Sequence, residues 1–129
     1  SCGTYKPINL GHGGFVATND EELFALILGN TFDEKQLPGL LREIEKLPLR
    51  REFFLKTSQK IKKDLKDFEI IHPTSAGINV IVKFKSEEEK KKIINYCDNN
   101  KYPYTLCPRY IRVLENAVSI EVKRLKLSD

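Results

Sequence analysis

Lys6 stands directly before Pro7, and three glycines follow within four positions, Gly11, Gly13 and Gly14, with His12 after the first. A neutral lysine amine is a nucleophile and a proton carrier. Proline disfavours the helical region for the residue before it, so Lys6 is expected on a strand end or loop with its side chain offered outward. Closely spaced glycines supply positive φ or close backbone approach, which a chain needs when it turns sharply beside a bound group such as a phosphate. Taken singly, each feature has a plainer reading: a lysine before a proline is usually a solvated loop residue, and a Gly-x-Gly-Gly run is usually a turn.

The residues after Gly14 extend the pattern. Phe15, Val16, Ala17 and Thr18 read as a short strand, and Asn19 with Glu22 three residues on is a helix-start signal. In this order the stretch resembles the fold-type I pyridoxal-phosphate (PLP) enzymes, most closely the DegT-type sugar aminotransferases. Those enzymes carry a lysine, four residues, Gly-x-Gly-Gly, a short apolar strand and Thr-Asn-Asp-Glu-Glu-Leu. Here Lys6, Gly11-His12-Gly13-Gly14, the apolar run and Thr18-Asn19-Asp20-Glu21-Glu22-Leu23 stand in those places. His12 occupies a position where the sugar enzymes commonly have an acidic residue.

The resemblance implies that Lys6 forms the Schiff base with PLP and that Gly11, His12, Gly13 and Gly14 lie close to the cofactor or to a neighbouring subunit. It also implies an amino-acid or amino-sugar substrate and a site built at a dimer interface. In many such enzymes an arginine of the small domain binds the substrate carboxylate through a two-pronged hydrogen bond. Arg112, and after it Arg109, are the candidates, although an arginine on a strand is more often solvated or salt-bridged. The groups that cup the phosphate, stack on the ring and hold the pyridine nitrogen normally precede the lysine and have no counterpart in this sequence. The chain is therefore expected to be the C-terminal portion of a PLP-dependent aminotransferase-like enzyme, inactive alone, whose partner is its own symmetry mate or the missing PLP-domain half. The absence of methionine fits a truncated or processed piece, or a removed initiator. Two alternatives stay open: a non-enzymatic α+β module that binds protein or RNA, and a PLP enzyme of another reaction, a desulfurase or an RNA-linked amino-acid conversion.

The remaining composition narrows the class. A net charge of +4 on 129 residues is a mild basic balance and no argument for nucleic acid. Cys2, Cys97 and Cys107 are odd in number and show no metal-ligand spacing, which suits reduced thiols in a cytosolic protein. There is no signal peptide and no apolar run long enough to span a bilayer, so no membrane partner is expected.

The elements that must carry these residues fall into two parts, a remnant of the PLP-domain motif over residues 1–32 and an α+β domain over residues 33–129. Leu23, Phe24, Leu26, Ile27 and Leu28 form an almost wholly apolar helix ending at Gly29-Asn30. Leu37, Leu40, Leu41, Ile44 and Leu47 predict a second, amphipathic helix with Pro38 in its first turn, ended or kinked by Pro48. Phe53, Phe54, Ile61, Leu65 and Phe68 mark a long helix over residues 49–68. Its other face carries Lys56, Lys60, Lys62, Lys63 and Lys66, normally just a solvated surface.

The second half reads as a strand at residues 69–72, a turn at 73–77, and a strand with Ile78, Val80, Val82 and Phe84 on its buried face. A helix capped by Ser86 and Glu89 comes next, with Ile93, Ile94 and Cys97 inward. Three further strands are expected at 104–107, 110–114 and 118–125, the last two joined at Glu115-Asn116 as a hairpin. The expected fold class is α+β: a helical N-terminal part and a mainly antiparallel sheet backed by helices. That order is similar to the small C-terminal domain of fold-type I enzymes.

Overall fold

The structure, a computed structural model, describes residues 1–27, 33–109 and 113–126. It forms two compact units, Ser1–Arg50 and Arg51–Asp129. The expected division between residues 32 and 33 therefore falls inside the first unit. The reason is local packing: a Cβ at Gly39 would lie 3.4 Å from Leu10 Cδ1, so the segment after residue 33 rests on the N-terminal loop.

The first unit contains helix α1 (Glu21–Ile27), a single 3₁₀ turn (Glu34–Gln36) and helix α2 (Leu37–Glu45), and its boundary falls within helix α3 (Leu47–Asp64). Thr18 Oγ1 accepts from the Asp20 amide, and Asp20 Oδ1 accepts from the Leu23 amide at 3.0 Å. Asp20, rather than the expected Asn19, thus satisfies one of the orphan donors of α1. Pro38 lies in the first turn of α2, where its missing N–H costs nothing. Pro48 takes the same position in α3, so it opens a new helix instead of merely ending the old one.

Residues 15–18 form no strand among the described residues. Their β-branched and aromatic side chains favour an extended backbone, yet a strand is stable only when its amides and carbonyls pair with a neighbour. Phe15 is 68% exposed and Val16 69%.

The second unit is an α+β layer. Strands β1 (Ile70–Ile71), β2 (Val80–Lys83), β3 (Tyr104–Arg109) and β4 (Val113–Ile120) make a fully antiparallel sheet in the order β1-β2-β4-β3, with helix α4 (Glu87–Asn99) between β2 and β3. Register decides which side chains share a face. Val80 opposes Ile120 and Val82 opposes Val118, so these four point together into the core. There they meet Phe54, Ile61 and Leu65 of the α3 side and Ile93 and Cys97 of α4. Each aliphatic side chain so buried contributes roughly 1.5–3 kcal/mol of transfer free energy.

One strand expectation is corrected. Residues 113–120 are a single strand, and the hairpin expected at Glu115-Asn116 does not exist. Both residues are polar, but each is engaged inside the sheet: the Asn116 carbonyl accepts from the Phe84 amide, and Glu115 pairs with Lys83. Arg109 opposes Val113, and residues 110–112 of the strand expected at 110–114 lie outside the described residues. Beyond Ile120 the chain closes in a 3₁₀ turn (Val122–Arg124) where a third strand was expected.

Candidate functional site

The Lys6 loop is built from short-range hydrogen bonds. The Lys6 amide donates to the Gly3 carbonyl at 3.1 Å, closing a four-residue turn. Tyr5, third in that turn, has φ 64°, a left-handed conformation rarely adopted by a bulky residue. Its amide is held by Asn9 Oδ1 at 2.9 Å. Lys6 therefore leaves the end of a tight turn, not a strand end, and its side chain is exposed as expected.

The glycine run folds back over the same turn. Gly3 and Gly11 form an isolated parallel bridge; the Gly11 amide donates to the Cys2 carbonyl at 3.0 Å and the Cys2 amide to the Gly13 carbonyl at 2.9 Å. Gly11 and Gly13 have φ of 95° and 74°, and a Cβ on Gly14 would lie 3.3 Å from Ser1 Cα. Each of the three glycines thus meets one of the requirements read from the sequence, positive φ or close approach. The Lys6 turn and the glycine turn share one frame around the buried Cys2 and Ile8, with His12 exposed on it.

Two elements hold that frame from below. Arg50, in the first turn of α3, donates through Nη1 to the Pro7 carbonyl at 2.7 Å and through Nη2 to Glu43 Oε2 of α2 at 2.8 Å. The side chains are only 14% and 20% exposed, so the fork is partly desolvated. Sequence reasoning passed over this pair, whose only signal is an Arg seven residues after a Glu across a helix break.

Of the substrate-binding candidates, Arg112 lies outside the described residues. Arg109 is described by its backbone alone, at the end of β3. The basic helix face is partly engaged within the chain: Lys56 pairs with Glu52, Lys60 with Asp64, and Lys62 donates to the Ser75 carbonyl.

The second unit holds a polar centre that the sequence reading missed. Glu121, only 3% exposed, accepts at Oε1 from Ser119 Oγ at 3.0 Å, Thr105 Oγ1 at 3.2 Å and Asn79 Nδ2 at 3.3 Å. Lys123 Nζ lies 3.0 Å from Oε2 in an ion pair, and Arg124 Nε lies 3.6 Å away. Period-two spacing of Ala117, Ser119 and Glu121 along one face was the available signal. Burial first, and then the Glu121 charge, pushes the nearby Cys107 thiol up; burial and then Asp98 push Cys97 up to about 12. Raised thiols are poor nucleophiles, and all three cysteines are buried and free. Among the described residues no three His, Cys, Asp or Glu side chains are grouped to hold a metal ion.

Comparison with known proteins bears on the second unit. The model of the MJ1341 family C-terminal domain matches residues 51–129, more than half of the chain, beginning where the second compact unit begins. The chain belongs to the MJ1341 family. No curated protein and no solved structure matches the chain. Among the described residues no helix is long and apolar enough to cross a membrane.

Proposed function

We propose that this chain is the C-terminal portion of a PLP-dependent aminotransferase-like enzyme, with Lys6 as the residue that links to the cofactor. The observation that carries the reading is the joining of the Lys6 turn and the Gly11–Gly14 turn in one hydrogen-bonded frame, with Gly11 and Gly13 at positive φ. The residues present fit part of what PLP needs. An exposed amine is open to an aldehyde, and at Gly11 and Gly13 the turn carries no Cβ to keep a phosphate or ring from its backbone. When bound, PLP supplies the electron sink for chemistry at the substrate α-carbon.

The chain's own contribution is to present Lys6 as nucleophile and proton carrier, to let the glycine turn and His12 close against the cofactor, and to offer Arg112 or Arg109 to a substrate carboxylate. The phosphate and ring-nitrogen contacts come from polypeptide beyond this sequence, so the chain alone is inactive. The substrate class is an amino acid or amino sugar.

Borohydride reduction of the full-length protein in the presence of PLP, followed by peptide mapping, tests the reading. The label is expected on Lys6, and the isolated chain is expected to show no transaminase turnover. Labelling elsewhere, or none, overturns it.

A second reading, a non-enzymatic module that binds protein, draws on the exposed Phe15, Val16, Phe24 and Leu26 of the first unit. Tight association with a partner polypeptide by a chain whose Lys6 stays unlabelled would favour it.

A further inference from the structure

We propose that Arg50, held by Glu43, is a positioning residue for Lys6: its guanidinium holds the carbonyl of the proline that follows the lysine and so sets where the amine points. The role given to Lys6 rests on the function proposed above; the clamp stands on geometry.

Pro7 is what makes the clamp effective. The proline ring fixes φ at Pro7, so ψ is the soft backbone dihedral left to that residue, and Arg50 Nη1 restrains it by taking the Pro7 carbonyl at 2.7 Å. A guanidinium is a planar fork, so binding Glu43 with Nη2 fixes the direction in which Nη1 can reach. Upstream of Lys6 the backbone is already closed by the bond from its own amide to Gly3, and Asn9 holds the Tyr5 amide. Arg50 closes the downstream side. The lysine backbone is thus held on both sides while its side chain remains exposed, the arrangement a reactive amine needs when a small displacement slows reaction. Leu10 Cδ1 lies beside Gly39, 3.4 Å from where a Cβ would stand, so the loop has a second neighbour and loss of Arg50 should loosen the Lys6 turn without releasing the whole loop.

Hydrogen exchange on the chain reads the clamp directly. In Arg50→Ala, exchange at the Tyr5, Lys6 and Gly11 amides should rise about ten-fold, the loss of a charge-assisted bond, while amides of β2 and β4 stay unchanged and show that the sheet is folded. Arg50→Lys keeps the charge but cannot span both acceptors, so it should restore only part of the protection. In the full-length protein, the rate of borohydride-trapped PLP labelling at Lys6, taken relative to the exposed Lys63, should fall about ten-fold in Arg50→Ala. Added ethylguanidinium should restore it, which recovery of general stability would not do. Unchanged exchange overturns the clamp. Changed exchange with unchanged Lys6 labelling overturns the positioning role and leaves the proposed function standing; absence of Lys6 label in the native protein overturns that function while the exchange result still reports on the clamp.

Discussion

Glu121 shows how one side chain can organise a face of the sheet. Its Oε1 collects Asn79 beside β2, Thr105 from β3 and Ser119 from β4, and its Oε2 faces Lys123 and Arg124 of the closing turn. Truncating it leaves buried donors without an acceptor and a half-buried ammonium without a counter-charge. Glu121→Ala is therefore expected to destabilise the chain by about 3 kcal/mol, and Glu121→Gln, which keeps an accepting oxygen, by about half as much. Urea denaturation of the two variants measures this; equal and small losses would show that the network is ornamental to stability. At this scale the glycines were legible in the sequence because a positive φ has a residue type attached to it. Glu121 was not, because its meaning depends on strand register, and register sets which residues near β2 and β3 stand beside it.

Elements were legible where a single helix or strand face decides them. Of the residues expected inward on the long helix, Phe54, Ile61 and, just past its end, Leu65 are buried and Phe53 and Phe68 partly so, while the unread Ser58 is buried beside them and donates to the Gly77 carbonyl. Ser86 caps α4 as its sequence required, though Glu89 reaches back to the Lys85 amide and not to that of Ser86. What failed was the search for ends: residues 15–18 lacked a strand partner, and Glu115-Asn116 has the composition of a turn while its polar groups are used within the sheet. One pair of elements also carries a pH prediction. Asp64 near the end of α3 accepts from Lys60 and from Tyr96 Oη of α4, both at 2.7 Å. The Lys60 bond first, and then the Tyr96 bond, hold its carboxyl below the ordinary value of 3.8. A carboxyl with a lowered folded pKa stabilises the fold above its unfolded pKa, and that contribution is lost as pH falls through the folded value. Asp64→Asn should therefore lower the urea midpoint at pH 7 and differ little from the native chain near pH 2. An equal difference at both pH values would assign the effect to packing and not to charge.

At the scale of the whole molecule the two units differ in how they are stabilised. Every member of the main core cluster, from Phe54 to Val122, lies in Arg51–Asp129, the part that the family model matches. In Ser1–Arg50 the buried apolar residues among those described are Cys2 and Ile8, while Phe15, Val16, Phe24 and Leu26 are each more than half exposed, Leu26 at 78%. Large side chains of this kind each forgo roughly 1.5–3 kcal/mol when left in water, and several of them exposed along one short segment favour association. The acidic first turn of α1, Glu21 and Glu22, keeps the rim of that segment polar, as interfaces are. Residues 51–129 are thus expected to fold cooperatively alone and to remain monomeric, while the intact chain associates through residues 1–30, with its symmetry mate or with the PLP-domain half of the enzyme proposed above. Sedimentation of the intact chain and of residues 51–129, with thermal unfolding of each, measures both expectations. A monomeric intact chain would leave the exposed segment without a role in self-association, and a fragment that fails to unfold cooperatively would show that the core of the second unit depends on the first.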